Sequence, residues 1–237
     1  MKVFGKKHEL TVEQKKLETN LWIIAIVSML AYGAYAAIGK NLTAFFKDNS
    51  ISVWPRLLTS AAMEYGVAGL GITLVCLIRK ESFASYGLKK ENAFKAVIGA
   101  VISFIPLVMF KILSGQFEGY EPLSVMVTAD LHKAGIITTV IGTLVIATVW
   151  GFFEGFNYAV IAEIISRRYP TKSNLFDWGV LVAAIMGIMF HPIHFDTIGI
   201  IDLIVTFIAL YGMLIVRKFT VNSWGCVFAF IFIWNAF

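Results

Sequence analysis

From Gly135 to Ile165 the chain is apolar over about 31 residues, more than a bilayer crossing needs, and well inside this run stands a carboxylate, Glu154. A hydrocarbon layer offers the backbone no hydrogen-bond partner, so a segment of this kind folds as a helix or as part of a closed barrel. A carboxylate at that depth is costly and is a functional-site candidate by default. The run ends at Ser166-Arg167-Arg168-Tyr169-Pro170, a basic stop closed by a proline that cannot continue a helix. Glu154 is therefore expected deep in the span and not at a frayed end.

Six more runs follow the same pattern, at about Leu21 to Gly39, Leu57 to Ile78, Ala93 to Leu113, Trp178 to Phe195, Thr197 to Val216 and Phe219 to Phe237. Most are near the roughly 20 residues that cross a bilayer. The expected fold class is all-α: a polytopic transmembrane helical bundle of about seven spans. Composition agrees, with 58% hydrophobic and 15% charged residues against about 45–50% and about 25% in soluble domains. The fourth run is long enough to tilt, or to lay its first turns along the interface. The first run also reads as a signal peptide ending at Ala34-Tyr35-Ala36, but a 20-residue leader and an unbroken 19-residue core fit a retained anchor better. The chain thus divides into a cytoplasmic flank (1–20), two N-terminal spans (21–82) and a larger membrane domain (83–237). Lys and Glu alternate at helical spacing in the flank, which predicts a short amphipathic helix on the membrane surface, solvated and not itself a site.

Charge gives the orientation. With alternate loops assigned to the two sides, 15 Lys and Arg fall on the side of the N-terminal flank and 5 on the other. This bias predicts a cell-membrane protein with the N-terminus cytoplasmic and the C-terminus outside. The net charge of +5 is spent on that asymmetry, and no basic or aromatic nucleic-acid surface is visible. The expected partners are the lipid bilayer and a membrane-associated peptide or protein. The outer loop from Ser114 to Ala134 reads as a cap over the outer mouth. Cys76 and Cys226 each sit within an apolar run and read as packing residues, without support for a disulfide framework.

Depth can be counted from the cytoplasmic end of each span. Glu154 lies 13 residues before Arg167, His194 lies 17 after Asp177, and Asn235 lies 17 after Lys218. At 1.5 Å per residue these are about 20, 25 and 25 Å, which suggests one cluster. Asn157 and Tyr158, at i+3 and i+4 from Glu154, share its helix face. His191 stands at i−3 from His194, with Pro192 between them opening the backbone. Plainer roles compete with each: Glu154 as a protonated hydrogen-bonder between helices, His194 as a cap at the interface, Asn235 among headgroups. Glu64 and Asp202 have no partner that spacing identifies, which leaves helix-helix hydrogen bonding or a water-filled cleft. His132 reads as a solvated loop residue.

Several stretches together resemble the CAAX-protease and bacteriocin-processing superfamily of intramembrane endopeptidases. They are Gly87-Leu88-Lys89-Lys90-Glu91-Asn92, Phe153-Glu154-Gly155-Phe156-Asn157-Tyr158 with Arg167-Arg168, Phe190-His191-Pro192-Ile193-His194, and a terminal Asn235. The likeness covers roughly residues 83 to 237. The family's Phe-x-x-x-His pattern is present as Phe190 and His194. Its Glu-Glu-x-x-x-Arg pattern keeps Glu154, with Phe153 and Gly155 beside it and Tyr158 or Ala159 at the Arg position. Its His-x-x-x-Asn pattern keeps Asn235, with Ile231 at the His position. The resemblance implies a helical membrane bundle that cleaves a membrane-associated or prenylated substrate at a site buried among the later spans.

Peptide hydrolysis needs a base for water and donors for the developing oxyanion. Glu154 is the expected base, and His194 and the Asn235 amide are the expected oxyanion donors or water-orienting groups. A zinc site is the weaker expectation, since catalytic zinc usually takes three protein ligands and only Glu154, His194 and His191 offer themselves. The absent second Glu, Arg and His point to the alternative, a membrane scaffold or partner-binding protein on the same fold. A transporter is disfavoured because no inverted repeat is apparent.

Overall fold

The computed structural model describes residues 10–189, 194–234 and 236–237; within these the chain is helical and no strand forms. Ten α-helices run in order: α1 (Val12–Lys47), α2 (Val53–Glu64), α3 (Leu70–Arg79), α4 (Ala93–Leu113), α5 (Thr128–Lys133), α6 (Ile136–Ile146), α7 (Glu154–Arg168), α8 (Trp178–Met189), α9 (Thr197–Thr220) and α10 (Trp224–Phe232). A π-helical turn, Tyr65–Gly69, joins α2 to α3, and a second, Ala147–Phe153, joins α6 to α7.

Five of these stretches are long and apolar enough to cross a membrane: Val12–Lys47, Val53–Arg79, Ala93–Leu113, Ile136–Arg168 and Thr197–Thr220. Among the described residues five such helices stand where seven are expected. Among the described residues the run from Trp178 contributes the 12 residues of α8, and the last run contributes the 9 of α10, about 18 and 14 Å against a hydrocarbon core of about 30 Å. The last run loses its first turns because α9 continues to Thr220 and the chain then reverses at Val221, whose φ is 50°. By contrast, the run from Ala93 to Leu113 is one helix with the bounds its hydropathy gives it.

The flank also differs from its expectation. Thr11 accepts from the Gln14 backbone N–H, and the Gln14 side chain accepts from the Thr11 N–H, a reciprocal cap that starts α1 at Val12. No proline interrupts the next 36 residues, so residues 12–20 and the first apolar run form one helix instead of a surface helix followed by a span. Residues 1–9 lie outside the described residues.

Lipid is the natural solvent for the exterior of this bundle. In the most apolar window of α1 only 6% of residues are buried, and Trp22, Ile26, Met29 and Leu30 face outward. A contiguous apolar surface of that extent marks a membrane or partner interface. The centre is α7, buried nearly all round from Gly155 to Ile165 and packed against α1, α8, α9 and α10. Close approach is required there: a Cβ on Gly155 would stand 2.7 Å from the Cys226 carbonyl oxygen, so only glycine lets α7 lie against α10.

Polar contacts gather at two opposite ends. At one end α1 is tied to the loops, with Lys16 on Glu81 at 2.6 Å, Glu13 and Glu18 each 2.5 Å from Arg167 and Arg168 respectively, and Arg79 Nε donating to Asn20 at 2.8 Å. Lys218 pairs with Asp177 at 2.9 Å, and the Asn222 amide donates to the carbonyls of Lys89 and Glu91, both at 2.7 Å. Gly87, with φ at 94°, lets the loop close on Ser223, whose N–H donates to the Gly87 carbonyl. At the other end Arg56 binds Asp130 at 2.9 Å, Lys111 binds Asp202 at 3.0 Å, and the Glu121 N–H reaches the Ala236 carbonyl.

The flank charges are consequently structural. Its hydrogen bond from Lys16 holds the Glu81 carboxyl below its ordinary value of 4.5, against an upward push from burial. A depressed carboxyl contributes stability that is present above about 4.5 and lost as pH falls through its folded value. Thermal melting of the purified protein between pH 7 and pH 3 should show this loss, and Glu81→Gln should lack it. An identical acid profile in the variant would mean that Lys16 and Glu81 do not hold α1 in place.

Candidate functional site

Glu154 opens α7 directly after one π-helical turn, and Glu64 closes α2 directly before the other. Such turns insert an extra residue into the helix, shift the side-chain register and recur at functional sites. The two turns cross, with the rings of Tyr65 and Phe153 edge to face at 4.9 Å. Gly69 leaves the space for both rings, since a Cβ there would stand 2.9 Å from Phe153 Cγ and closer still to the Tyr65 ring. The Tyr65 hydroxyl is anchored in turn on Thr73, at 3.0 Å.

The result is a cavity of about 440 Å³ lined by both carboxyl-bearing residues, Glu64 and Glu154, together with Asn157, Tyr158, Ser60 and Trp150. The two carboxyls are near enough for their charges to interact. Val125 and Met126, from the loop after α4, complete the wall, so the 114–134 segment does reach over this cavity. Asn157 and Tyr158 share the wall with Glu154, as their spacing implies. Among the described residues, neither carboxyl has a hydrogen-bond or ion-pair partner, and no Lys, Arg or His lines the cavity.

His194 stands elsewhere. It lines a separate cavity of about 630 Å³ together with Lys111, Asp196, Asp202 and Trp234, between α4, α9 and the C-terminal segment. Its side chain is exposed, and its backbone lies against Gly199 at the start of α9. Counting depth along a continuous helix brings it level with Glu154, but residues 190–193, which would have to continue that helix, lie outside the described residues. Equal depth also says nothing about which side of the bundle a residue faces. Glu154 opens toward α1 and α2, whereas His194 opens toward α4 and α9. A zinc ion shared by Glu154 and His194 does not fit this arrangement, and no group of three His, Cys, Asp or Glu with metal-binding geometry occurs among the described residues. Phe190, His191 and Asn235 lie outside the described residues.

Glu64 is the residue that the sequence reading leaves unplaced, and a signal for it exists. It lies 15 residues before Arg79, and Glu154 lies 14 before Arg168, so both are about 21–22 Å from the basic end. Asp202 finds Lys111, and Cys76 and Cys226 are free and buried as packing residues.

No family model, curated protein or solved structure matches the chain. The functional reading rests on the site.

Proposed function

We propose that this protein is an intramembrane hydrolase that cleaves a peptide bond of a membrane-associated substrate, with Glu154 as the base that activates water. The observation that carries the reading is the Glu64–Glu154 pair facing one cavity from two crossing π-helical turns. Two carboxyls in one site divide acid and base roles between them. Glu154 in its ionised form takes a proton from water as the water oxygen attacks the carbonyl carbon. Glu64 in its protonated form gives its proton to the leaving amine. The Asn157 amide and Tyr158 hydroxyl, on the same wall, are placed to donate to the carbonyl oxygen as it gains charge. The pattern of residues around Glu154 that resembles the CAAX-protease superfamily supports the same chemistry, with Glu64 in place of a second Glu beside Glu154. His194 is not part of this centre. Incubation of the purified protein in lipid with transmembrane and prenylated peptides tests the proposal; failure to cleave any of them above a Glu154→Gln background would refute it.

The same reading places the protein in the cell membrane with seven crossings and with the basic end cytoplasmic. The 15-to-5 asymmetry of Lys and Arg supports that orientation. In intact cells, a membrane-impermeant maleimide is expected to label Glu118→Cys and to reach Lys90→Cys only after the membrane is opened. The reverse pattern would invert the topology.

A further inference from the structure

We propose that the Glu64–Glu154 cavity binds a monovalent organic cation, a primary ammonium or guanidinium carried on an apolar stem. The first argument is charge. Two carboxyl groups from different helices face one space, and among the described residues no cationic side chain lines it. Ionisable groups at bilayer depth ordinarily pair with an opposite charge or a hydrogen-bond donor, and among the described residues neither carboxyl has such a partner.

The second argument is independent of the carboxyls. Asn157 and Tyr158 line the cavity with only 7% and 6% of their surface exposed, and neither has a hydrogen-bond partner among the described residues. Their residues are packed into the bundle while the amide and the hydroxyl stay open to the cavity, so both are available to bond whatever occupies that space. Carboxylate oxygens, the amide oxygen and the hydroxyl oxygen are all acceptors. A ligand with several N–H donors and one positive charge satisfies them, while a quaternary ammonium, which has none, does not.

The third argument is shape. About 440 Å³ is within the range of small-molecule sites. The rings of Trp150, Tyr35 and Tyr158 also line the cavity, and aromatic faces attract cations while accepting an apolar stem. An anion or a neutral lipid tail meets none of these requirements.

This binding goes beyond the hydrolase reading and does not depend on it, because it is measured without any cleavage. Benzylammonium is the probe, titrated against the purified full chain in detergent while thermal unfolding is followed. At a hundredfold excess over Kd the melting temperature should rise by roughly 5–10 °C and then saturate. Benzyl alcohol, equal in shape but uncharged, should give no rise, and neither should tetramethylammonium. The Glu64→Gln/Glu154→Gln double variant should lose the response while keeping its helical circular dichroism. Equal shifts from benzyl alcohol or tetramethylammonium in the wild type would overturn the proposal, and these arms need no variant to fold. A folded double variant that still responds to benzylammonium would overturn it as well.

Discussion

Under the proposed hydrolase function, replacing Glu154 by glutamine is expected to lower the rate of peptide cleavage by about 10²–10⁴-fold, the loss typical of a missing general base. Glutamine keeps the length and planarity of the side chain and can still fill its place in the cavity wall beside Asn157 and Tyr158. It cannot take a proton from water. Stability should change little, by about 1 kcal/mol or less, the scale of a modest hydrogen bond inside a membrane. Rate and stability therefore separate the catalytic role from a scaffold role. Glu64→Gln should also slow cleavage, through proton delivery to the leaving amine, and should do so most for substrates with poor leaving groups. His194→Ala should leave the rate nearly unchanged, because His194 lines the other cavity. Full cleavage by Glu154→Gln, or a loss on His194→Ala as large as that on Glu154→Gln, would refute this assignment of roles.

The largest stability effect is expected at the basic end of α7. Glu163 is bonded to Arg217, which is 7% exposed and, among the described residues, otherwise reaches only the Ser223 hydroxyl, at 3.4 Å. Arg167, one turn along α7, approaches Glu163 at 3.5 Å but is half-exposed and can turn to water. Arg217 has no such freedom. Glu163→Ala leaves its guanidinium buried without a counter-charge, and breaking a buried pair from one side costs about 3–5 kcal/mol. Unfolding of the purified variant by heat or denaturant measures this. A second substitution, Arg217→Leu in the Glu163→Ala background, removes the stranded charge and should restore much of the loss. A Glu163→Ala loss below about 1 kcal/mol would mean that Arg217 is satisfied by solvent, contrary to its burial.

The long apolar runs, together with the composition, determine an all-helical bundle with an apolar exterior, because a backbone without water must satisfy itself. The helix from Ala93 to Leu113 and the deep position of Glu154 are legible in this way, since both depend on hydropathy and on local stop signals. So is the shared wall of Glu154, Asn157 and Tyr158, which helical spacing alone requires. The joining of the flank to the first span as one helix is also local, written in the Thr11 and Gln14 cap.

What depends on contact across the bundle is different. Depth is one coordinate along the membrane normal, so counting residues brings Glu154 and His194 level without saying that one faces α1 and α2 and the other α4 and α9. The pairing of Glu64 with Glu154 joins residues 90 positions apart. It also relies on two π-helical turns whose extra residue no hydropathy period reveals. Those turns are held by tertiary packing, the Tyr65 and Phe153 rings meeting edge to face in the space Gly69 leaves open. The sequence by itself therefore determined the solvent, the helices and the one costly carboxylate; the tertiary structure alone decided which second carboxylate stands beside it, because side-chain direction around a helix is fixed by its neighbours and not by its depth.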